Sequence, residues 1–387
     1  MKKRKEKVAP GKIDMSALRR MADKVAGSKI STDLEAGENL ADVTEWIPTG
    51  SSWLDAAICR GKRAGIPVGR VTELAGLSST GKSYMAIQIA KNAIEMGIVP
   101  VYADFERAIN TEFLEAAGID ISKMQLMVPE SLETFLEIIE QFVQIKEMKF
   151  LFILDSVAMA PTKSDVVGDM NPNSSVGVKA RVLAKAFSKL INPLSDNGGT
   201  VLLLNQLKSN IDELSKVQGG AKYAKMTQKY ITPGGKTPVY ATSLRIWLTG
   251  STSNKQNVFD DNGFRVGSYV KASLVKSRFG TQDRFAEFKI LWGDEVGILN
   301  EESLLLAIKG SEFYVGGSWS KLLNKDGSEL AKWSGDKQFV SLMRADPKFA
   351  KRVDEIVEEE IILKFDKRLG KAEDFFNDGV GEEVQSD

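Results

Sequence analysis

The sequence predicts an α/β protein: a core with a mostly parallel sheet, a small helical N-terminal arm and a small α+β C-terminal domain. Short, almost continuously apolar segments at 71–75, 99–104, 150–155 and 201–205 have the composition of strands buried on both faces. Between them, 82–95, 111–118, 132–147 and 178–192 carry apolar residues at helical spacing. This alternation is the pattern of a parallel sheet with helical crossovers.

Taken in order, the first ten residues are charged and close on Pro10-Gly11. Met15 to Val25 then reads as a short helix with Met15, Leu18, Met21, Ala22 and Val25 at helical spacing. Residues 26–46 are polar and dotted with glycine, a linker, and the core begins at Ile47. Residues 206–238 interrupt it with a polar, lysine-rich stretch ending in Pro233-Gly234-Gly235. Loops of that length inside a compact domain are functional or disordered. Strands are expected at 243–249, 268–276 and 285–292. From about Glu301 to residue 370 a smaller unit is expected, with helices at 302–308, 318–323, 336–344 and 347–365.

Composition narrows the chemistry. In 387 residues, 43% hydrophobic and 27% charged, a sizeable core can be buried. No apolar run reaches the ~18 residues of a membrane helix, and the N-terminus lacks the apolar stretch of a signal peptide. Cys59 is the only cysteine, which excludes a disulfide framework and a multi-cysteine zinc site. A cytoplasmic protein with no membrane partner is expected. The absence of histidine excludes Ser-His-Asp and Cys-His triads, so any hydrolysis runs on carboxylates, Lys/Arg, amides and a metal. Net charge is zero but uneven. Residues 1–29 hold ten Lys/Arg against three acids, and the tail 371–387 holds one Lys against six acids. A basic arm and an acidic tail suit a protein that handles polyanions.

The strongest motif is Gly76-Leu77-Ser78-Ser79-Thr80-Gly81-Lys82-Ser83, which satisfies G-x-x-x-x-G-K-[ST] between an apolar strand and a helix. Its glycines let backbone N–H groups curl around phosphates, and the helix N-terminus adds a favourable dipole. In such a loop Lys82 reaches the β/γ-phosphates of ATP and Ser83 takes a Mg²⁺ position. Phe150 to Leu154 is an apolar strand ending in Asp155, where a metal-holding acid belongs. Another strand end offers Asp104 and Glu106 to polarise an attacking water, and spacing does not choose between them. A third ends in Asn205-Gln206, where an amide could sense the γ-phosphate or cap the strand.

In this order the motifs resemble the RecA recombinase family, including its phage UvsX branch, from about residue 47 to 365. The resemblance is carried also by Ile47-Pro-Thr-Gly-Ser-Ser-Trp-Leu-Asp55, Pro67-Val-Gly-Arg-Val-Thr-Glu-Leu and Leu154-Asp155-Ser156-Val157-Ala158. It implies a RecA-type P-loop ATPase core. Glu106 becomes the implied water-activating base and Gln206 the switch that couples the γ-phosphate to DNA. Phe113 sits where the family, often with Tyr, stacks an aromatic on adenine. Lys276-Ser-Arg278 sits where two cations, usually lysines in bacterial relatives, reach the neighbouring subunit's ATP. Gly316-Gly-Ser-Trp319 and Asp346-Pro347 resemble the family's C-terminal domain that gathers duplex DNA. Spellings such as Gly76-Leu-Ser-Ser-Thr lean toward the phage branch. The first 46 residues match only in type, as a basic segment with a helix that docks on the next protomer.

Two loops line the filament axis in this family, and their counterparts fall at about 161–178 and 207–236. Lys208, Lys216, Lys222, Lys225, Lys229 and Lys236 stand in the second against Asp212 and Glu213, interleaved with Tyr223 and Tyr230. Cations neutralise phosphates while flat side chains stack on bases. Gly219-Gly220 and Gly234-Gly235 would allow ordering on DNA. Lys163 and Arg181 flank the first loop. The resemblance thus implies a DNA-dependent ATPase and strand-exchange recombinase that forms a helical homo-filament on single-stranded DNA. Homologous duplex is the second substrate, and a single-strand-binding protein and a loading mediator are the further partners. The alternatives are a hexameric helicase, disfavoured by the basic arm and the unit after 301, and a non-catalytic mediator, disfavoured by the intact motif residues.

Overall fold

The computed structural model describes residues 15–36, 42–59, 64–168, 177–211, 226–250, 257–292 and 296–362. The chain divides into two compact units, Met1–Thr44 and Glu45–Asp387.

In the first unit the helix is Met15–Ala26, with Met15, Leu18, Met21 and Val25 exposed. The stretch expected as a linker folds back on it in part. The Asp23 carboxylate accepts the N–H groups of Ile30 and Ser31 at 2.8 and 2.9 Å, and Arg19 pairs with Asp33. One side-chain oxygen near the helix C-terminus thus takes two backbone N–H groups of the turn that follows.

In the second unit ten of the described strands build one large sheet. Its parallel half runs Leu244–Gly250, Val71–Gly76, Thr200–Gln206, Phe150–Asp155, Val99–Asp104, Gln125–Met127. Arg265–Ser277, Phe285–Trp292 and Val296–Ile298 extend it antiparallel beyond Leu244–Gly250, and Asn257–Phe259 pairs beside them. The central strands are apolar on both faces because both are covered. On one face Leu74, Ile153, Leu202 and Leu204 pack with helix Lys82–Glu95. On the other, Val71, Phe152, Leu154 and Leu203 pack with helices Leu132–Phe142 and Val178–Asn197. Among the described residues no helix is long and apolar enough to cross a membrane.

Helix ends follow local chemistry. Asn110 and Ser131 cap their helices by accepting the N–H of Phe113 and Thr134 at 2.8 and 3.2 Å. Helix Val178–Asn197 outruns its expected end at 192 by passing through Pro193. Buried Leu190 and Leu194 hold the extra turn despite the missing N–H, and Gly198, at φ 70°, ends it. Helix Leu132–Phe142 stops short of 147 in tighter turns, with Ile145 N–H bonding Phe142 O at 3.0 Å.

The helix expected at 318–323 is not one. Ser320–Leu323 is a strand between Tyr314–Val315 and Glu329–Trp333. Asp326 accepts the N–H of Ser328 at 2.9 Å and Gly327 adopts φ 82°, so the chain turns back after four residues. Leu322 then buries beneath Trp333, Phe339 and Phe349. The last helix is regular only over Pro347–Ile356 and widens over Val357–Ile362. Helices Asn300–Ile308 and Pro347–Ile356 belong to the same apolar cluster as helix Ser52–Ile58 of the core.

Candidate functional site

The carboxyl ends of the parallel strands open on one edge of the sheet, where such folds bind ligands. The loop Leu77–Gly81 leaves strand Val71–Gly76 there and runs into helix Lys82–Glu95. Its shape needs its residues. A Cβ on Gly76 would meet Thr80 Oγ1 at 2.4 Å, and Thr80 Oγ1 itself donates to Leu77 O at 2.8 Å. Gly81, at φ 85°, has Ile290 Cδ1 2.6 Å from where a Cβ would stand, and Ser79 also takes positive φ. The result is a tight turn with its N–H groups gathered at a helix N-terminus.

Lys82 Nζ turns back onto this loop, donating to Leu77 O at 3.1 Å and Gly76 O at 3.3 Å. Burial lowers its pKa, against the opposing pull of Asp155 and Glu106. Ser83 Oγ donates to Asp155 Oδ2 at 2.8 Å, and the buried Tyr102 hydroxyl donates to the same oxygen at 2.6 Å. Burial raises the Asp155 pKa, helped by Glu106 and Asp104, while the bonds from Tyr102 and Ser83 lower it. A hydroxyl and a carboxylate oxygen beside a half-buried ammonium are a donor set that would fit a nucleotide's phosphates with Mg²⁺.

Geometry separates the two acids that spacing left open. Asp104 is buried and spends both oxygens on its own turn, accepting the N–H groups of Glu106 and Ile109 at 3.1 and 2.9 Å. Glu106 faces the cleft, and Ser156 Oγ donates to its Oε1 at 2.6 Å. The amides separate likewise. Asn205 is buried and bound to Glu73 and the Pro233 carbonyl, whereas Gln206 lines the cleft.

The cleft has a volume of about 380 Å³. Ser78, Ser79, Gly81, Lys82, Ser83, Glu106, Asp155 and Gln206 line it, joined by three residues that the sequence did not single out: Tyr84, Arg265 and Trp292. Arg265 lies over the Trp292 ring at 5.0 Å. Phe113 does not line the cleft but packs edge-on against Tyr84, centroids 4.7 Å apart. A signal existed for Tyr84, which directly follows the motif, but none for Arg265 or Trp292, which the antiparallel strands carry in.

Lys276 and Arg278 stand outside the cleft. Both reach the carbonyls at the end of helix Thr237–Ala241: Lys276 Nζ bonds Val239 O and, at 2.6 Å, Thr242 O, and Arg278 Nη2 bonds Tyr240 O at 3.0 Å. Burial, then the nearby Arg278 and Arg245, lowers the Lys276 pKa to about 8.

Of the second loop, Lys216, Lys222, Tyr223, Lys225 and Gly219-Gly220 lie outside the described residues, as do 169–176 of the first loop and the acidic tail 371–387. What is described is the base of the second loop, where Lys208–Ser209 pairs antiparallel with Tyr230–Ile231 and Asn210 N–H bonds Lys229 O at 2.9 Å. Lys208 and Lys236 are exposed, and Lys229 and Tyr230 half-buried. Gly234 and Gly235, both at positive φ, pack against Leu183 and Ala180, where a Cβ would stand 3.2 and 3.0 Å away. At the first loop Arg181 is exposed, and Lys163 pairs with Glu137 at 2.8 Å, which raises its pKa. Lys179 was missed from sequence. Its Nζ donates to Val157 O and Ala158 O at 3.0 and 2.9 Å, bracing the turn after Asp155.

Comparison with known proteins agrees on one family. A family model described as RecA N-terminal domain matches residues 15–297. The chain is 31% identical over 275 residues to Protein RecA of Symbiobacterium thermophilum, covering 70% of this chain and 71% of the relative. It is 28% identical over 329 residues to Protein RecA of Frankia alni, 85% of this chain and 87% of that one. With Protein RecA of Bacteroides thetaiotaomicron it shares 28% over 312 residues, 77% and 88% of the two chains.

Proposed function

The chain belongs to the RecA family and is a RecA-like recombinase, and on that premise we propose that it is a DNA-dependent ATPase. It hydrolyses ATP with Mg²⁺ and assembles a helical filament on single-stranded DNA that pairs it with homologous duplex. The observation that carries this reading is the cleft, which brings Lys82, Ser83, Glu106, Asp155 and Gln206 together from separate segments.

The loop amides and Lys82 hold the triphosphate, and Ser83 and Asp155 would hold Mg²⁺, which would supply positive charge beside the phosphates. Glu106, its Oε1 fixed by Ser156, keeps the other oxygen for the attacking water. Gln206 contacts the γ-phosphate, and Phe113, through Tyr84, supports the base. Lys276 and Arg278 complete the site of the adjacent protomer, as the exposed position of Arg278 allows. Lys163, Arg181 and the lysines of 207–236 take the DNA backbone. The exposed apolar residues of Met15–Ala26 dock on the next protomer, the unit from Glu301 to about 370 gathers duplex, and the acidic tail 371–387 competes with duplex for it. A single-strand-binding protein and a loading mediator act with it in the cytoplasm.

A homologous strand-exchange assay with and without ATP tests the reading. ATP-dependent joint molecules are expected. Closed rings on single-stranded DNA without pairing would point to a helicase, and absence of DNA-stimulated hydrolysis to a mediator.

A further inference from the structure

A buried ionic network lies one step behind the cleft, on groups that no step of hydrolysis uses. Glu73 is fully buried on the strand that feeds the phosphate loop. Asn205 Nδ2 donates to its Oε1 at 3.0 Å and Arg245 Nε to its Oε2 at 2.5 Å. Each donor makes a second bond, and both second bonds end on one dipeptide. Asn205 Nδ2 reaches the Pro233 carbonyl and Arg245 Nη2 the Thr232 hydroxyl, each at 2.9 Å.

Thr232-Pro233 is where the lysine loop returns to the core, immediately after the paired base Lys208–Ser209 and Tyr230–Ile231. The far ends of the network are equally placed. Asn205 Oδ1 accepts the N–H of Gln206 at 3.0 Å, and Arg245 is the register partner of Lys276 on the neighbouring strand.

A buried charge pair adds little net stability over apolar residues of the same size, because desolvation offsets the attraction. Its geometry, however, is demanding: a buried donor that loses its acceptor keeps the full cost of its desolvation. Displacing Thr232-Pro233 would remove one acceptor from Asn205 and one from Arg245 at once. We infer that Glu73, Asn205 and Arg245 are positioning residues that sense the seat of Thr232-Pro233 and transmit DNA occupancy of the loop to Gln206 in the ATP cleft. The inference rests on the reading that this loop binds single-stranded DNA and the cleft hydrolyses ATP.

The test measures ATP turnover of the full chain with and without single-stranded DNA, alongside DNA binding and thermal melting. Thr232→Val keeps the shape and removes the hydroxyl, Thr232→Ser keeps the hydroxyl, and Asn205→Ala removes the other arm. In Thr232→Val and Asn205→Ala the ratio of DNA-stimulated to DNA-free turnover should fall about tenfold, within the usual range of coupling between sites. DNA affinity should stay at the parent value, both variants should remain folded at the assay temperature with melting lowered by the polar groups left unpaired, and Thr232→Ser should keep the parent ratio. The double variant should lose no more than the worse single one, since both arms serve one network. An unchanged ratio in Thr232→Val overturns the relay, as does a loss that follows weakened DNA binding or unfolding at the assay temperature. If Asn205→Ala does not fold, the two Thr232 variants decide alone. A parent protein with no DNA stimulation at all would instead overturn the underlying ATPase reading, and the relay with it.

Discussion

The lowered pKa of Lys276 makes a pH-dependent prediction with a defined sign. Its ammonium is half-buried against the carbonyls ending helix Thr237–Ala241, with Arg278 and Arg245 nearby, and titrates at about 8 instead of 10.5. The folded state therefore releases this proton more readily than the unfolded chain. Below pH 8 both states are charged and the full penalty is present. Between pH 8 and 10.5 the unfolded chain binds more proton, so this group's contribution to stability rises with pH. A fully buried lysine with that gap would contribute ~3 kcal/mol at ~1.4 kcal/mol per pH unit. Solvent screening at a half-exposed site reduces this to ~1 kcal/mol. Urea unfolding at pH 7.5 and 10.5, for the parent and Lys276→Met, isolates the effect, because every other titrating group cancels in the difference. The stability of the parent relative to the variant should rise by ~1 kcal/mol across that window. A difference that is flat, or that falls with pH, would refute the electrostatic account.

Other substitutions address the remaining parts. Lys82→Ala should abolish hydrolysis and cooperative DNA binding, and parent-like turnover would place the site elsewhere. Glu106→Gln keeps the size and the Ser156 contact but should lower kcat by about 10²–10⁴-fold with ATP binding retained, as loss of a general base does; parent-like kcat would reject Glu106 as the base. Arg278→Ala should leave nucleotide binding by the monomer intact while removing stimulated turnover, and mixing it with Lys82→Ala protein should restore some activity. No rescue in filaments shown to be mixed would reject a site completed in trans. Replacing Lys222, Lys225 and Lys229 by Ala should flatten the logarithmic salt slope of single-strand binding by about 0.7 for each lost phosphate contact. Truncation after Leu369 should raise duplex binding at low salt, and equal or weaker binding would reject competition by the acidic tail.

Much of this protein is legible from sequence because its signals are local. The phosphate loop is eight consecutive residues, and its conformation follows from Gly76 and Gly81. The central strands were readable because burial on both faces leaves unbroken apolar runs. Local signals failed where burial changed the outcome. Pro193 does not end its helix because Leu194 packs beyond it, and Ser320–Leu323 is a strand because the turn at Asp326-Gly327 pairs it with Glu329–Trp333.

Sequence by itself determined the fold class, the phosphate loop, and the shortlist of strand-end acids and amides. Only the tertiary structure decided which member of each pair faces the cleft. Adjacent or near-adjacent residues share every sequence signal but not a direction: Asp104 folds into its own turn and Glu106 reaches out, Asn205 points inward and Gln206 outward. The structure likewise brought in Arg265 and Trp292, and joined Glu73 to Arg245 across 172 residues. Contacts of that range depend on how strands are ordered in the sheet, and strand order is set by long-range pairing and packing, which no local stretch of residues encodes.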